Sequence, residues 1–256
     1  MISKKEIINS LEKLKINKND IVMMHGDANV SSQLKGKNLN NKLKSTFELI
    51  IKYLKPNGTL IVPTFTTSFT KTKRFNMAKS KSEIGIFSER FRNIKGVKRS
   101  FHPIFSFGVI GKNQKSFLNT NMEDCFGEGT FFDLLYKKNA KIICFGCGFN
   151  EITFTLFVEQ YLRVSYRYFK YFKGIKTFGN KKFKTNVRYF VRDLNRKTDL
   201  NLFLLKDRMI KKNKIKTTAI GRIAIHSVET KDYFYEIRKL LNLNKYGLIE
   251  ERFSKK

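Results

Sequence analysis

Three histidines, His25, His102 and His226, occur in this 256-residue chain. Histidine is the side chain whose ordinary titration lies closest to neutral pH, so these are natural candidates for moving a proton. His102 stands before Pro103 in the string Arg99-Ser100-Phe101-His102-Pro103. Proline has no backbone donor and drives the preceding residue toward extended backbone. His102 is therefore expected in a loop from which it can face a cleft, with a turn histidine bound to backbone as the alternative. His25 closes the apolar run 20–25, DIVMMH, and is followed by Gly26 and Asp27. If that run is a strand of an open α/β sheet, its carboxyl end borders the ligand crevice; otherwise His25 packs on a neighbouring loop. Asp27 could attract an ammonium group or close an Asx turn.

Carboxylates supply the second set of candidates. Glu159 lies in the apolar stretch TFTLFVEQYL, where burying a charge is costly unless it is paired. It either holds a ligand cation, orients a neighbour, or pairs with Arg163 at i+4. Asp124 and Glu128 flank a Gly127/Gly129 loop and could add acidic character to a pocket or simply face solvent. His226 ends a late strand and reads as structural. Cys144, inside the run AKIICFG, and Cys147 just after it form a lone C-x-x-C, with Cys125 the third cysteine. Without a second pair or a nearby histidine this spacing argues against zinc, an odd count argues against a disulfide framework, and burial is the expected state of the pair. No metal site is expected.

The elements that must position these residues follow from periodicity. Helices are expected at 4–16, 43–54, 85–93, 131–138, 153–162, 202–212 and 232–242. Strands are expected at 20–25, 59–65, 106–111, 140–146 and 217–228, with a glycine-containing loop to about residue 40 and a long polar loop over 66–83 carrying Lys71, Lys73 and Arg74. Ser3 and Glu6 make a capping box for the first helix, so the amino-terminal segment does not read as a signal peptide. Lys55-Pro56-Asn57-Gly58 is a turn signal. From 166 to 192 aromatic and basic residues alternate at period two in four short segments, which suits an antiparallel subsheet. Alternating β and α elements imply a mixed α/β core: one domain over 1–256, a central sheet flanked by helices, and a small β-rich insertion at about 165–195.

The formal charge of +31 makes polyanions and phosphorylated ligands attractive. The excess is lysine scattered along the chain rather than gathered in one block, and no zinc-finger, RNA-recognition or KH signature is present. No specific nucleic-acid partner is expected. Apolar runs are too short and too interrupted by charge to span a bilayer, and the expected location is the cytoplasm.

Six segments in order, the HGD loop after the first strand, KPNGTLIVPTF, SEIGIFSERFR, GVKRSFHPIFSFGVIG, FGEGTFFDLL and IICFGCGFNEITFTLFVEQ, give the chain a resemblance to the aminoglycoside 3-N-acetyltransferase family, also called the antibiotic N-acetyltransferase family, over about residues 5–245. The resemblance implies a mixed α/β fold distinct from the GNAT acetyltransferases, with acetyl-CoA as co-substrate and an amino-sugar small molecule as acceptor. The acceptor could be an aminoglycoside or a nucleotide-linked sugar; a homodimer is an open option. Gly58–Phe65 match the family's GTL-x-x-P-T-F strand. Ser80–Gly85 correspond to its TPS-x-x-G loop without the proline, and Glu89 and Arg92 match the helix that follows. Arg99, Ser100, His102, Pro103 and Ser106 match its RS-x-HP-x-x-S motif. Thr153 and Glu159 are kept from T-S-x-H-x-x-E, but Leu156 stands where the family carries the histidine regarded as the catalytic base. The resemblance thus implies His102, His25 and Glu159 as catalytic candidates and Arg99, Ser100, Ser106 and Thr64 as donor-binding; Asp27, Asp124 and Glu128 are acceptor-binding candidates by their charge and loop positions. Leu156 can neither take up a proton nor donate a hydrogen bond. Either another group substitutes, or the chain is a catalytically impaired binder of acetyl-CoA and sugar.

Overall fold

The runs expected as strands near residues 20, 60 and 142 lie side by side at the centre of the protein. The computed structural model describes residues 1–253. Its strands are β1 (Ile21–Gly26), β2 (Thr59–Pro63), β3 (Arg74–Asn76), β4 (Lys98–Arg99), β5 (Phe107–Gly111), β6 (Lys141–Phe145), β7 (Arg167–Phe178), β8 (Lys181–Arg192), β9 (Lys216–Ile220) and β10 (Ile223–Glu229). Its helices are α1 (Lys4–Lys13), α2 (Ala28–Ser32), α3 (Leu39–Leu54), α4 (Phe69–Thr72), α5 (Ile86–Arg92), α6 (Gln114–Leu118), α7 (Phe131–Lys137), α8 (Phe154–Tyr161), α9 (Phe203–Lys211) and α10 (Thr230–Leu243).

The main sheet runs β4-β5-β2-β1-β6-β10-β9. β1 is parallel to both β2 and β6, while β5, β10, β9 and β4 pair antiparallel. The three parallel strands therefore discharge their carboxyl ends, Gly26, Pro63 and Phe145, along one sheet edge, and the chain leaves β1 between neighbours reached in opposite directions. Open sheets form their ligand crevice at such a point.

Both sheet faces are covered, which is why the central strands are apolar at nearly every position. Val22, Met24, Leu60, Val62, Ile143 and Phe145 pack with Ile7 and Leu11 of α1, Leu43 and Phe47 of α3, and Phe87 and Phe91 of α5. Met23, Ile61, Ile142 and Cys144 pack on the other side with Phe132 and Leu135 of α7, Phe154 and Phe157 of α8, and Tyr233 and Ile237 of α10. Burying each such large side chain contributes roughly 1.5–3 kcal/mol, and many phenylalanines contribute here. Phe107 and Phe131 are stacked at 4.0 Å between ring centroids. Strand alternation places His25 on the same face as Met23, toward α8.

Three expectations are corrected. The segment 66–83 is not a plain loop: it holds α4 and β3, and β3 runs parallel to β7 in a second sheet of order β3-β7-β8. A three-residue strand has no periodicity to read, but buried Phe75 anchors it. The stretch 217–228 is a hairpin, β9 and β10, rather than one strand. Its turn falls at Gly221, whose φ of 57° favours glycine and where a Cβ would displace the Gln33 amide, 2.2 Å away at Oε1. The aromatic and basic segment 166–192 forms two twelve-residue strands turning at Gly179 and Asn180, not four short ones. Among the described residues, no helix is long and apolar enough to cross a membrane.

Candidate active site

A cleft of about 520 Å³ opens at the carboxyl ends of β1, β2 and β6, lined by His25, Gly26 and Asp27, by Pro63 and Phe65, and by Gly146 to Gly148. Ile84, Ser88 of α5, Phe105, Glu151 and Thr153 complete its walls. Local chemistry explains the shape. At Gly26 a Cβ would lie 2.5 Å from the Phe87 ring, so only glycine lets β1 end against α5. Gly146, with φ of 80°, turns the chain out of β6. Gly148 instead has ordinary extended backbone, φ −70° and ψ 157°, and open space where a side chain would point.

His25 is buried, and its Nε2 meets no hydrogen-bond partner. Burial pushes its pKa down to about 4, so the ring is neutral at neutral pH. Asp27 is exposed and caps α2, its Oδ1 accepting from Asn29 N at 2.7 Å; the Asx geometry and the position in the cleft coexist. Apart from His25 the lining contains two carboxylates, Asp27 and Glu151, and no lysine or arginine.

His102 is also buried, but it does not line this cleft. Its Nδ1 accepts from Ile104 N at 3.2 Å and Phe105 N at 2.9 Å, which fixes the 102–105 turn. Its pKa falls to about 3 through burial, reinforced by the charge of Lys176. The ring sits 6.2 Å from that of Phe105, which does line the cleft.

Arg99, Ser100, Ser106 and Thr64 form a buried bracket. Arg99 donates from Nε to Ser106 Oγ at 3.0 Å, from Nη2 to Thr64 O at 2.6 Å, and from Nη1 to the carbonyls of Met77 and Ser80. Ser106 Oγ donates to Thr64 O at 2.7 Å and lies 3.1 Å from Thr64 Oγ1, while Ser100 Oγ accepts from Phe107 N at 2.9 Å. The guanidinium also lies 4.9 Å from the Phe75 ring centroid. Burial lowers Arg99 to about 10, leaving it charged. The bracket ties β2, β4 and β5 together and holds Pro63 and Phe65, the neighbours of Thr64, at the cleft.

Glu159 is fully buried and lines none of the clefts described here. Its partner is Arg167, not Arg163: Arg167 Nε lies 2.8 Å from Oε2, an ion pair without hydrogen-bond alignment, and Tyr166 Oη donates to Oε1 at 2.9 Å. Burial raises the carboxyl pKa despite these partners. Arg163 instead stacks over Phe169 at 4.8 Å. Asp124 is pinned too, accepting from Phe126 N and Gly127 N at 3.1 Å each and pairing with Arg188. Glu128 is exposed and lines a separate cleft of about 530 Å³ with Arg163 and Arg188.

The candidates therefore divide. His25 and Asp27 share the cleft; His102 and the Arg99 bracket surround it; Glu159, Asp124 and Glu128 lie elsewhere. Sequence reading missed the contribution of Gly146, Gly148 and Glu151, although the glycine turn after β6 was a signal. Cys147 lines the cleft as well, while Cys144 is buried beneath it, its thiol raised by a hydrogen bond with Cys147 and by burial. His226 sits on β10 with Nδ1 2.9 Å from Thr217 Oγ1. Among the described residues no group of three or more His, Cys, Asp and Glu is placed to hold a metal.

Leu156 lines a further cleft of about 600 Å³, one turn along α8 from Thr153, which lines the strand-end cleft. Its floor is one face of the β7–β8 hairpin, where Tyr168 is opposite Val191 and Lys170 opposite Tyr189.

The sequence matches the family described as aminoglycoside 3-N-acetyltransferase over residues 23–242. It is 30% identical over 93 residues to the SPbeta prophage-derived aminoglycoside N(3')-acetyltransferase-like protein YokD of Bacillus subtilis (strain 168), a segment covering 36% of this chain and 31% of that protein. The match thus spans about a third of that relative's length. The fold is similar to the apoenzyme of aminoglycoside acetyltransferase AAC(3)-IVa, with a TM-score of 0.78 and 17% identity over 99% of this chain and 93% of that one. It is similar also to AAC-IIIb in its binary complex with CoASH, with a TM-score of 0.78 and 15% identity over 94% and 97% of the two chains. The mixed α/β fold expected from the resemblance is that of these structures, and with the family match covering most of its length, the chain belongs to the aminoglycoside 3-N-acetyltransferase family.

Proposed function

We propose that the chain transfers an acetyl group from acetyl-CoA to the amine of an amino sugar, either an aminoglycoside or a nucleotide-linked sugar. The observation that carries this reading is the family match over residues 23–242. The cleft at the strand ends supports it chemically. An uncharged, amide-rich pantetheine arm suits a lining of glycine backbone and apolar rings, and the open direction at Gly148 leaves room for it. The donor's phosphates do not suit this lining, which offers carboxylates and no cation, so they lie outside the cleft.

The bound thioester supplies an electrophilic carbonyl and a thiol leaving group. The chain's own residues supply the rest. Asp27 and Glu151 draw the ammonium form of the acceptor toward the cleft. His25 accepts the amine proton at Nε2, a buried nitrogen without a partner; His102 Nε2 is likewise unpartnered, but only His25 lines the cleft. The ammonium first gives one proton to solvent; the ring, kept neutral by burial, then takes the second as the C–N bond forms and returns it to the departing thiolate. Arg99, Ser100, Ser106 and Thr64 act as positioning residues by fixing the cleft wall. His102 holds the turn that presents Phe105. The carboxyls of Asp124 and Glu159 are engaged in ion pairs and stabilise the walls behind the site.

One observation favours a second reading. Leu156 cannot serve as a base, and a chain that binds donor and sugar without turnover would explain its presence. Thiol release from acetyl-CoA, measured with aminoglycosides and nucleotide-linked amino sugars, separates the two. Turnover by wild type that is lost in His25→Gln supports the enzyme. Donor binding without turnover in wild type, with turnover gained in Leu156→His, establishes the impaired binder.

A further inference from the structure

The cleft beside Leu156 is electrostatically the opposite of the one at the strand ends. Lys71, Arg167, Lys170 and Arg192 line it against a single carboxylate, Asp199. Arg192 is paired with Asp199, and Arg167 with buried Glu159 behind the wall. Lys71 and Lys170 are exposed and form no salt bridge among the described residues. These two ammonium groups are available to an incoming anion.

The floor adds a second independent feature. Tyr168, Lys170 and Phe172 share one face of β7 by strand alternation, with Tyr189 and Val191 opposite them on β8. Tyr168 is half exposed, at 50%. Lys170 lies 5.6 Å from the Phe172 ring centroid. An exposed ring beside free cations is the arrangement that receives a planar base and its phosphates together: the base stacks and the phosphates take charge-assisted contacts. A polycationic ligand would meet two unpaired ammonium groups at this cleft, with the paired Arg167 and Arg192 beside them, and be disfavoured.

Resting on the acetyltransferase reading above, we infer that this cleft recognises an acceptor bearing an aromatic base and phosphates, a nucleotide-linked amino sugar, and disfavours a polycationic aminoglycoside. The geometry suits the division of labour. Leu156 in this cleft and Thr153 in the other are three residues apart, about 4.5 Å along the helix. An acceptor anchored over the hairpin by its phosphates can direct its amine past the first turn of α8 toward His25, Asp27 and Glu151.

Uridine diphosphate is the binding probe, titrated calorimetrically into wild type, into Lys71→Glu/Lys170→Glu, and into Lys5→Glu/Lys13→Glu, which makes the same charge change on α1. The expected result is saturable binding weakened at least about tenfold, or 1.4 kcal/mol, by the cleft pair, little changed by the α1 pair, and not displaced by coenzyme A. Equal weakening by both pairs would reduce the effect to net charge and overturn the assignment. Displacement of the probe by coenzyme A would assign these cations to the donor's phosphates and overturn it as well. Thiol release with a uridine-diphosphate-linked amino sugar tests the parent reading separately. Probe binding without thiol release removes the acetyltransferase and leaves an anion site; thiol release faster with an aminoglycoside removes the acceptor assignment and leaves the acetyltransferase.

Discussion

The cleft at the ends of β1 and β6 and the cleft over the β7–β8 hairpin share the first turn of α8, yet they are built from opposite materials. The first is made of strand ends and glycine turns, with a neutral buried imidazole and two carboxylates. The second is made of side chains on a hairpin face, cationic and aromatic, with an aliphatic residue on its helical wall. Backbone-lined and side-chain-lined clefts respond differently to substitution. A glycine turn is constrained by φ and close approach, as at Gly26 and Gly146, whereas the exposed face of a hairpin can exchange charge with little cost to the fold. The contrast teaches that the hairpin cleft can change its charge independently of the strand-end cleft, which is what the proposed division between donor and acceptor requires.

Several substitutions would break or sharpen that contrast. The largest effect is expected at the ion pair behind the hairpin cleft. Glu159→Ala leaves Arg167 buried without its counter-charge, and such a loss costs about 3–5 kcal/mol. Urea unfolding should register it, and a loss below about 1 kcal/mol would mean that the pair does not support this wall. At the strand-end cleft the two buried histidines should behave differently. His25→Gln is expected to lower turnover about a hundredfold or more, the usual scale for a general base, with coenzyme A binding retained. His102→Gln should instead act on stability, by roughly 1–3 kcal/mol for the unpaired backbone donors it leaves. Thiol release and thermal melts on both variants decide this, and equal turnover losses at equal stability would erase the distinction.

The smallest effect is on pH dependence. His25 and His102 have folded-state pKa values of about 4 and about 3, below the ordinary imidazole value near 6.5. Between those values the unfolded chain binds more protons, so stability should fall as pH is lowered from about 6.5 toward 4. A His25→Gln/His102→Gln double variant should show a flatter slope across that window. If His25 is the base, the acid limb of turnover falls near pH 4 rather than near 6.5; a limb at 6.5 would assign the proton transfer elsewhere.

Much of this was legible in the sequence, for identifiable reasons. The central strands announce themselves as apolar runs because both faces are buried, and His25 at the end of one of them was placed at the crevice by topology alone. The capping box of Ser3 and Glu6 is present in full. What sequence could not supply was partnership across distance. Glu159 pairs with Arg167 across the turn into β7 rather than with Arg163, which lies just past the end of α8 with φ of 53°, and Arg99 divides its donors among Ser106, Thr64 and the carbonyls of a loop some twenty residues earlier. Lys71 is singled out with Lys73 and Arg74 by its place in a basic loop, but its position beside the hairpin required α4. The cationic cleft arises where three separate segments meet, so no local pattern encodes it.

The central claim is that the strand-end cleft seats the thioester arm of the donor. Calorimetric titration of coenzyme A into wild type and Gly148→Phe tests it most directly, because residue 148 has extended backbone open to any side chain and free space ahead of it. The ring should fill the cleft without disturbing the fold. The account predicts one-to-one binding to wild type and its loss in Gly148→Phe at unchanged melting temperature. Undiminished binding by the folded variant, or no binding by wild type, would contradict it.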